Sequence, residues 1–146
     1  MTVAAIDRAA LGRETVHPND PVMKRVRAWV IRRDRGMCGI CGHPGSDGVD
    51  HVVPLSECEV RGISPWQPGN LQAAHSKRPC QVCQDAALAN GGQRAGYCNA
   101  LRGSLSLDAA RLKIARRTNL VVMGVRPDRP PATPGRAGAE QGEREW

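Results

Sequence analysis

Two Cys-x2-Cys pairs, Cys38-Gly39-Ile40-Cys41 and Cys80-Gln81-Val82-Cys83, constrain this chain more than any other feature. Cysteines two residues apart can share one ion, and two such pairs close a tetrahedral zinc site. The chain needs a staple of this kind. It has 146 residues, no Phe, one Tyr and three Trp, with 16 Gly and 11 Pro. Such a composition buries only a small apolar core, and small cores are marginal without a disulfide or a metal. Metal is the expectation here. The first residues, Met1 to Asp7, lack the basic segment and apolar run of a signal peptide, and no stretch is long or apolar enough to span a membrane. A cytoplasmic location follows as the expectation, and a bacterial cytosol keeps thiols reduced.

The spacing of the six cysteines favours Cys38, Cys41, Cys80 and Cys83 as a four-thiolate site. Cys58 fits no such set and reads as a free, structural thiol. Cys98 stands directly before Asn99.

The formal charge is +7, and it is unevenly placed. Four Arg and four acidic residues cancel between Arg126 and Trp146, so the excess of cations lies before the tail. A basic folded part points to a polyanionic partner such as DNA or RNA. The tail is rich in Pro, Gly and charge and is expected to be disordered. The resulting division is an arm over 1–19, a domain over 20–120 and a tail over 121–146.

Within the domain, Asp20-Pro21 is a helix start, with Asp capping and Pro at the first position. Val22, Val26, Trp29 and Val30 follow helical spacing up to about Arg35, and Gly36 can end the helix. Val49 to Leu55 is short and β-branched and reads as a strand ending near Pro54. Ser56 to Gly69 reads as a long loop, and order resumes from Asn70 to His75. The stretch from Arg78 to Tyr97 holds the second Cys pair and a Gly-rich turn. Ser106 caps a last helix that runs to Arg117, with Arg116 and Arg117 suiting its final turn.

Asp50-His51 lies between the two Cys pairs. A neutral His is a suitable base near pH 7, and Asp is a hard oxygen ligand for Mg²⁺ or Mn²⁺. Adjacent residues of a flat strand face opposite sides, so both can serve one site only if the strand bends or ends there. Asn70 can donate and accept at once, which suits it to pinning a loop. Lys77, Arg78, Arg94 and Arg102 are natural phosphate contacts, which position without specifying sequence. His17 and His43 have no convincing partner.

Taken in order, Cys38/Cys41, Asp50-His51, Asn70, His75, Cys80/Cys83 and Cys98-Asn99 resemble the HNH (ββα-metal) endonucleases, particularly the zinc-bearing bacterial and phage forms. The resemblance spans about residues 29–107. It implies a small α+β fold: a ββα-metal HNH core stabilised by a structural zinc knuckle, flanked by helices. It implies His51 as general base, Asp50 and Asn99 as ligands of a catalytic Mg²⁺ or Mn²⁺, and Asn70 in support. It also implies a second closure of the zinc site. Family members often carry the string Ala-His-x-x-Cys-Asn, which here is split into Ala74-His75 and Cys98-Asn99, so Cys98 and His75 can complete the site instead. His75 also competes with Asn99 for the third letter of the motif. The implied activity is metal-dependent cleavage of DNA, with a dimer or two visits needed to cut both strands. A zinc-ribbon module that binds nucleic acid without cutting is the alternative. A thiol redox protein ranks last, because no βαβ pattern frames either Cys pair.

Overall fold

The computed structural model describes residues 19–92 and 94–128. The arm over 1–18, with His17, and the tail from 129 onward lie outside them. Among the described residues no helix is long and apolar enough to cross a membrane.

Helix α1 runs Pro21–Arg33. The Asp20 side chain accepts from the Val22 amide at 2.8 Å, and Pro21 fills the first position, where an amide hydrogen would find no partner. Its inner stripe is Met23, Val26 and Val30. Val26 and Val30 pack with Leu71, Val49 and Trp29 into one small cluster. The Asp34 carboxylate, just past the helix, accepts from the Ala73 amide at 2.8 Å, and so fastens α1 to the sheet.

That sheet has two antiparallel strands, β1 (Gly48–His51) and β2 (Leu71–Ala74). The register pairs Gly48 with Ala74, Asp50 with Gln72 and His51 with Leu71. The strand expected to reach Leu55 ends at His51. The expected loop of Ser56 to Gly69 contains a single helical turn, α2 (Leu55–Cys58), and a 3-10 turn, Pro68–Asn70.

Two further helices follow the second Cys pair. Helix α3 (Gln81–Ala89) is a structure that the sequence reading did not anticipate in this Cys- and Gly-bearing stretch. Helix α4 (Cys98–Arg102) is short. Helix α5 (Leu107–Thr118) starts where Ser106 accepts from the Ala109 amide at 3.2 Å, and it packs on both α3 and α4. The chain does not leave the domain at residue 120 as expected. Val122 and Val125 pair across a tight turn and are buried, so the domain extends at least that far.

The larger core cluster explains why such a chain needs a staple. Of its thirteen buried residues five are cysteines and five are alanines; only Ile40, Ile114 and Val122 are larger aliphatics. At about 25 cal/mol per Å² of apolar surface, alanines contribute little. The sulfurs therefore occupy the centre of the core, where a bulkier apolar side chain would otherwise sit.

Candidate metal centre and active-site cleft

The five buried cysteines of the core meet two histidines. One group is Cys38, Cys41, His75 and Cys98; the other is Cys41, His43, Cys80 and Cys83. Within each group the ligand atoms lie within 4.8 Å of one another. The His75 Nδ1 stands 3.6 Å from both the Cys41 and the Cys98 Sγ. The His43 Nδ1 stands 3.5 Å from the Cys80 Sγ and 3.4 Å from the Cys83 Sγ. Zn–S bonds of about 2.3 Å and Zn–N bonds of about 2.0–2.1 Å at tetrahedral angles put sulfur and nitrogen roughly 3.6 Å apart, so the donor set fits zinc.

The surroundings fit as well. His75 Nε2 lies 2.9 Å from the Pro44 carbonyl. Donating there keeps the proton on Nε2 and leaves the Nδ1 lone pair for a metal, as second partners of ligating histidines commonly do. The thiols crowd one another. Hydrogen bonds from Cys41, first among other causes, hold Cys38 and Cys83 far below the ordinary thiol value. Cys41 and Cys98 are pushed up, foremost by their bonds to Cys38. A metal takes thiols as thiolates, so an ion bound among them would displace their protons. None of the six cysteines forms a disulfide.

The four thiols Cys38, Cys41, Cys80 and Cys83 do not form one of these groups, whereas the other closure, through His75 and Cys98, does. Cys38 is grouped with His75 and Cys98, and only Cys41 keeps company with both sets. His43, to which the sequence reading gave no role, completes the second set. Its signal was available two residues past the knuckle, in Cys41-Gly42-His43. Gly42, at φ 78°, takes the left-handed turn that follows the knuckle, a conformation glycine adopts without strain. Cys58 stays apart from both groups, its Sγ 3.4 Å from the Val53 carbonyl.

The second assembly lies across the hairpin. Asp50, His51 and Asn99 line one cavity of about 440 Å³, together with Ser56 and Ser104. Asp50 and His51 share it because β1 ends at His51, which frees the two neighbours from strict alternation. Asn99 arrives from the first turn of α4. Its amide donates to the His75 carbonyl at 3.2 Å, and its side chain to the Ser76 Oγ at 3.2 Å. His75 itself is turned to the sulfurs, so of the two candidates for the third position it is Asn99 that lines the cleft.

The cleft is electrostatically set. Burial, the largest influence, pushes His51 below the usual histidine value of 6.5; Arg102 adds to this and Asp50 opposes it. Its Nε2 is buried and has no hydrogen-bond partner among the described residues. The Trp66 ring packs edge-on against it with centroids 4.8 Å apart. Asp50 Oδ2 accepts from its cross-strand neighbour Gln72 at 2.9 Å and from Arg102 Nη1. Arg102 also donates to the His51 and Val52 carbonyls.

Arg102 was expected as a phosphate contact, but it is 1% exposed. It is buried behind the cleft, spending its fork on Asp50 and two carbonyls where β1 ends. Lys77, Arg78 and Arg94 are exposed. Asn70 is buried, and its Oδ1 accepts from the Val53 amide at 2.7 Å while Nδ2 donates to the Val53 and Pro65 carbonyls and to Cys58. It pins the loop that leaves β1 and does not reach the cavity. A neighbouring cavity of about 390 Å³ shares His51 and Asn99 and adds Arg27 of α1 and Lys77. Compared with known proteins, the chain matches no family model, no curated protein and no solved structure.

Proposed function

We propose that the chain is a metal-dependent endonuclease of the HNH (ββα-metal) type that hydrolyses DNA phosphodiester bonds. One observation carries the reading: Asp50, His51 and Asn99, whose types suit this chemistry, converge on one cavity although Asn99 lies far along the chain from the other two. Strand β1 supplies Asp50 and His51, and the short helix α4, reached after β2 and α3, supplies Asn99.

His51 is the general base. Burial favours the neutral ring, the form that can take a proton from an attacking water. Asp50 and Asn99 would hold Mg²⁺ or Mn²⁺. Both bonds to Asp50 fall on Oδ2, which leaves Oδ1 for the ion. One carboxylate and one amide make a weak site on their own, as expected for an ion that is held largely by substrate phosphate. When bound, the ion supplies charge stabilisation at the phosphoryl oxygens and at the leaving oxygen. Arg102 positions Asp50 and the end of β1. Lys77 and Arg27, beside the same His51, offer cations to the flanking phosphates, a contact that sets position and not sequence.

The test is conversion of supercoiled plasmid by the full chain with Mg²⁺, Mn²⁺ or EDTA, beside His51→Ala. Metal-dependent nicking that is lost in the variant is expected. DNA binding without cleavage under any metal would overturn the reading in favour of a zinc-bearing binding module. The Arg102 and Gln72 bonds that already satisfy Asp50 Oδ2 favour that second reading, since a carboxylate so held can be purely structural.

A further inference from the structure

We infer that the core holds two zinc ions that share the Cys41 thiolate. A single tetrahedral ion leaves three of the seven observed donors idle. With Cys38, Cys41, His75 and Cys98 around one ion, the half-buried His43 and the buried Cys80 and Cys83 would remain together with no charge to hold them. The reverse choice strands Cys38, Cys98 and His75.

Counting settles how both sets are used. Two tetrahedral ions need eight bonds. The two groups comprise seven residues, and each offers one ligand atom. One donor must therefore serve twice, and Cys41 is the residue common to both groups. Chemistry permits this at Cys41 and not at the histidines. A thiolate sulfur has several lone pairs, whereas an imidazole nitrogen has one. Burial agrees: Cys41 is 2% exposed and every other sulfur of the set is as deeply buried. The His–thiol separations, from 3.4 to 3.6 Å, match a tetrahedral edge in both halves.

Charge agrees as well. Five thiolates and two neutral imidazoles around two Zn²⁺ leave a net charge of −1. Around a single ion the same five thiolates would leave −3, far costlier to bury. The alternative is for the spare thiols to keep their protons and bind nothing.

The inference does not depend on what the cleft does, and neither does its test. The full chain, produced with zinc, is examined by native mass spectrometry and elemental analysis. Two zinc ions per chain are expected, falling to one in His43→Ala. The ¹¹³Cd-substituted wild-type chain should give two resonances that split one another by coupling through the shared sulfur. This last measurement needs no variant to fold. One ion per chain in the presence of excess zinc overturns the proposal. So do two ions whose cadmium resonances show no mutual coupling, because they would not share Cys41.

Discussion

The sulfur-rich core and the cleft are held together by opposite means. In the core every important atom is a metal donor, and the surrounding side chains are mostly alanine. In the cleft, Asp50, the end of β1 and the following loop are fixed by Arg102, Gln72 and Asn70 through hydrogen bonds, while Asn99 is tied to the core through the His75 carbonyl. The core therefore gathers around one set of side chains that could hold a metal. The cleft spreads its order over several hydrogen bonds.

The sharpest way to break this contrast is to take the metal away. Structural zinc sites contribute about 10–16 kcal/mol of apparent binding free energy near neutral pH, comparable with the whole stability of an ordinary domain, about 5–15 kcal/mol. A strong chelator should abolish the cooperative thermal transition followed by circular dichroism. A melt that survives chelation would mean that the small aliphatic core suffices alone.

Next in size is Arg102→Ala. It leaves Asp50 buried without its cation, a loss of about 3–5 kcal/mol for one partner of a buried pair, measured as a shifted denaturation midpoint. The variant should keep its zinc, because the fault lies in the cleft and not in the core. Loss of zinc along with stability would show the two regions to be one cooperative unit.

Asn70→Ala should cost less, about 1–3 kcal/mol, the range for stranding buried polar partners. The Val53 amide and carbonyl lose their mate, and the end of β1 loosens. Plasmid nicking should therefore fall together with stability.

The smallest effect on stability and the clearest on activity belong to His51→Ala. Nicking should drop by roughly 10²–10⁴-fold, as for loss of a general base, while the melt hardly moves at pH 7.5. The pH dependence has a definite sign. The folded-state pKa of His51 lies below 6.5, so the neutral ring is favoured by folding. Its contribution to stability is complete above pH 6.5 and is lost as the pH falls through that value toward the folded pKa. The acid limb of the nicking rate should lie below pH 6.5. A limb at or above 6.5 would mean that the burial does not act on the base.

How far each region could be read from sequence follows from the same contrast. Helix α1 was legible because Asp20-Pro21 and the spacing of Val26 and Val30 are local signals, and α5 because of Ser106. The cleft residues were legible by type and order. The ligand partition was not, because spacing says which thiols can share an ion but not which do. That Cys38 falls with His75 and Cys98, and Cys80 and Cys83 with His43, is a tertiary fact. His43 was overlooked because a lone histidine after a knuckle has no local partner; its partners come from α3. Arg102 was misread for the same reason. An arginine at the end of a short helix looks exposed until the hairpin covers it. The length of β1 was overestimated because Val52 and Val53 favour a strand intrinsically, whereas the Asn70 side chain takes the Val53 amide away from any ladder.

One feature of α4 reaches beyond this chain. Cys98 and His75 belong to one metal group although they stand 23 positions apart, and Asn99 follows Cys98 directly. The ends of the intervening segment are thus clamped at a single point, and the cleft residue is set by the clamp and not by the path between. Loops closed in this way tolerate growth, since each doubling of length costs only about 0.6 kcal/mol in closure entropy. Within this segment the exposed turn that follows α3, Asn90 to Gly92, is where the sequence can be lengthened, shortened or exchanged while the cleft keeps its shape. It is the natural place for a chain of this kind to diversify and for an experimenter to graft a new module.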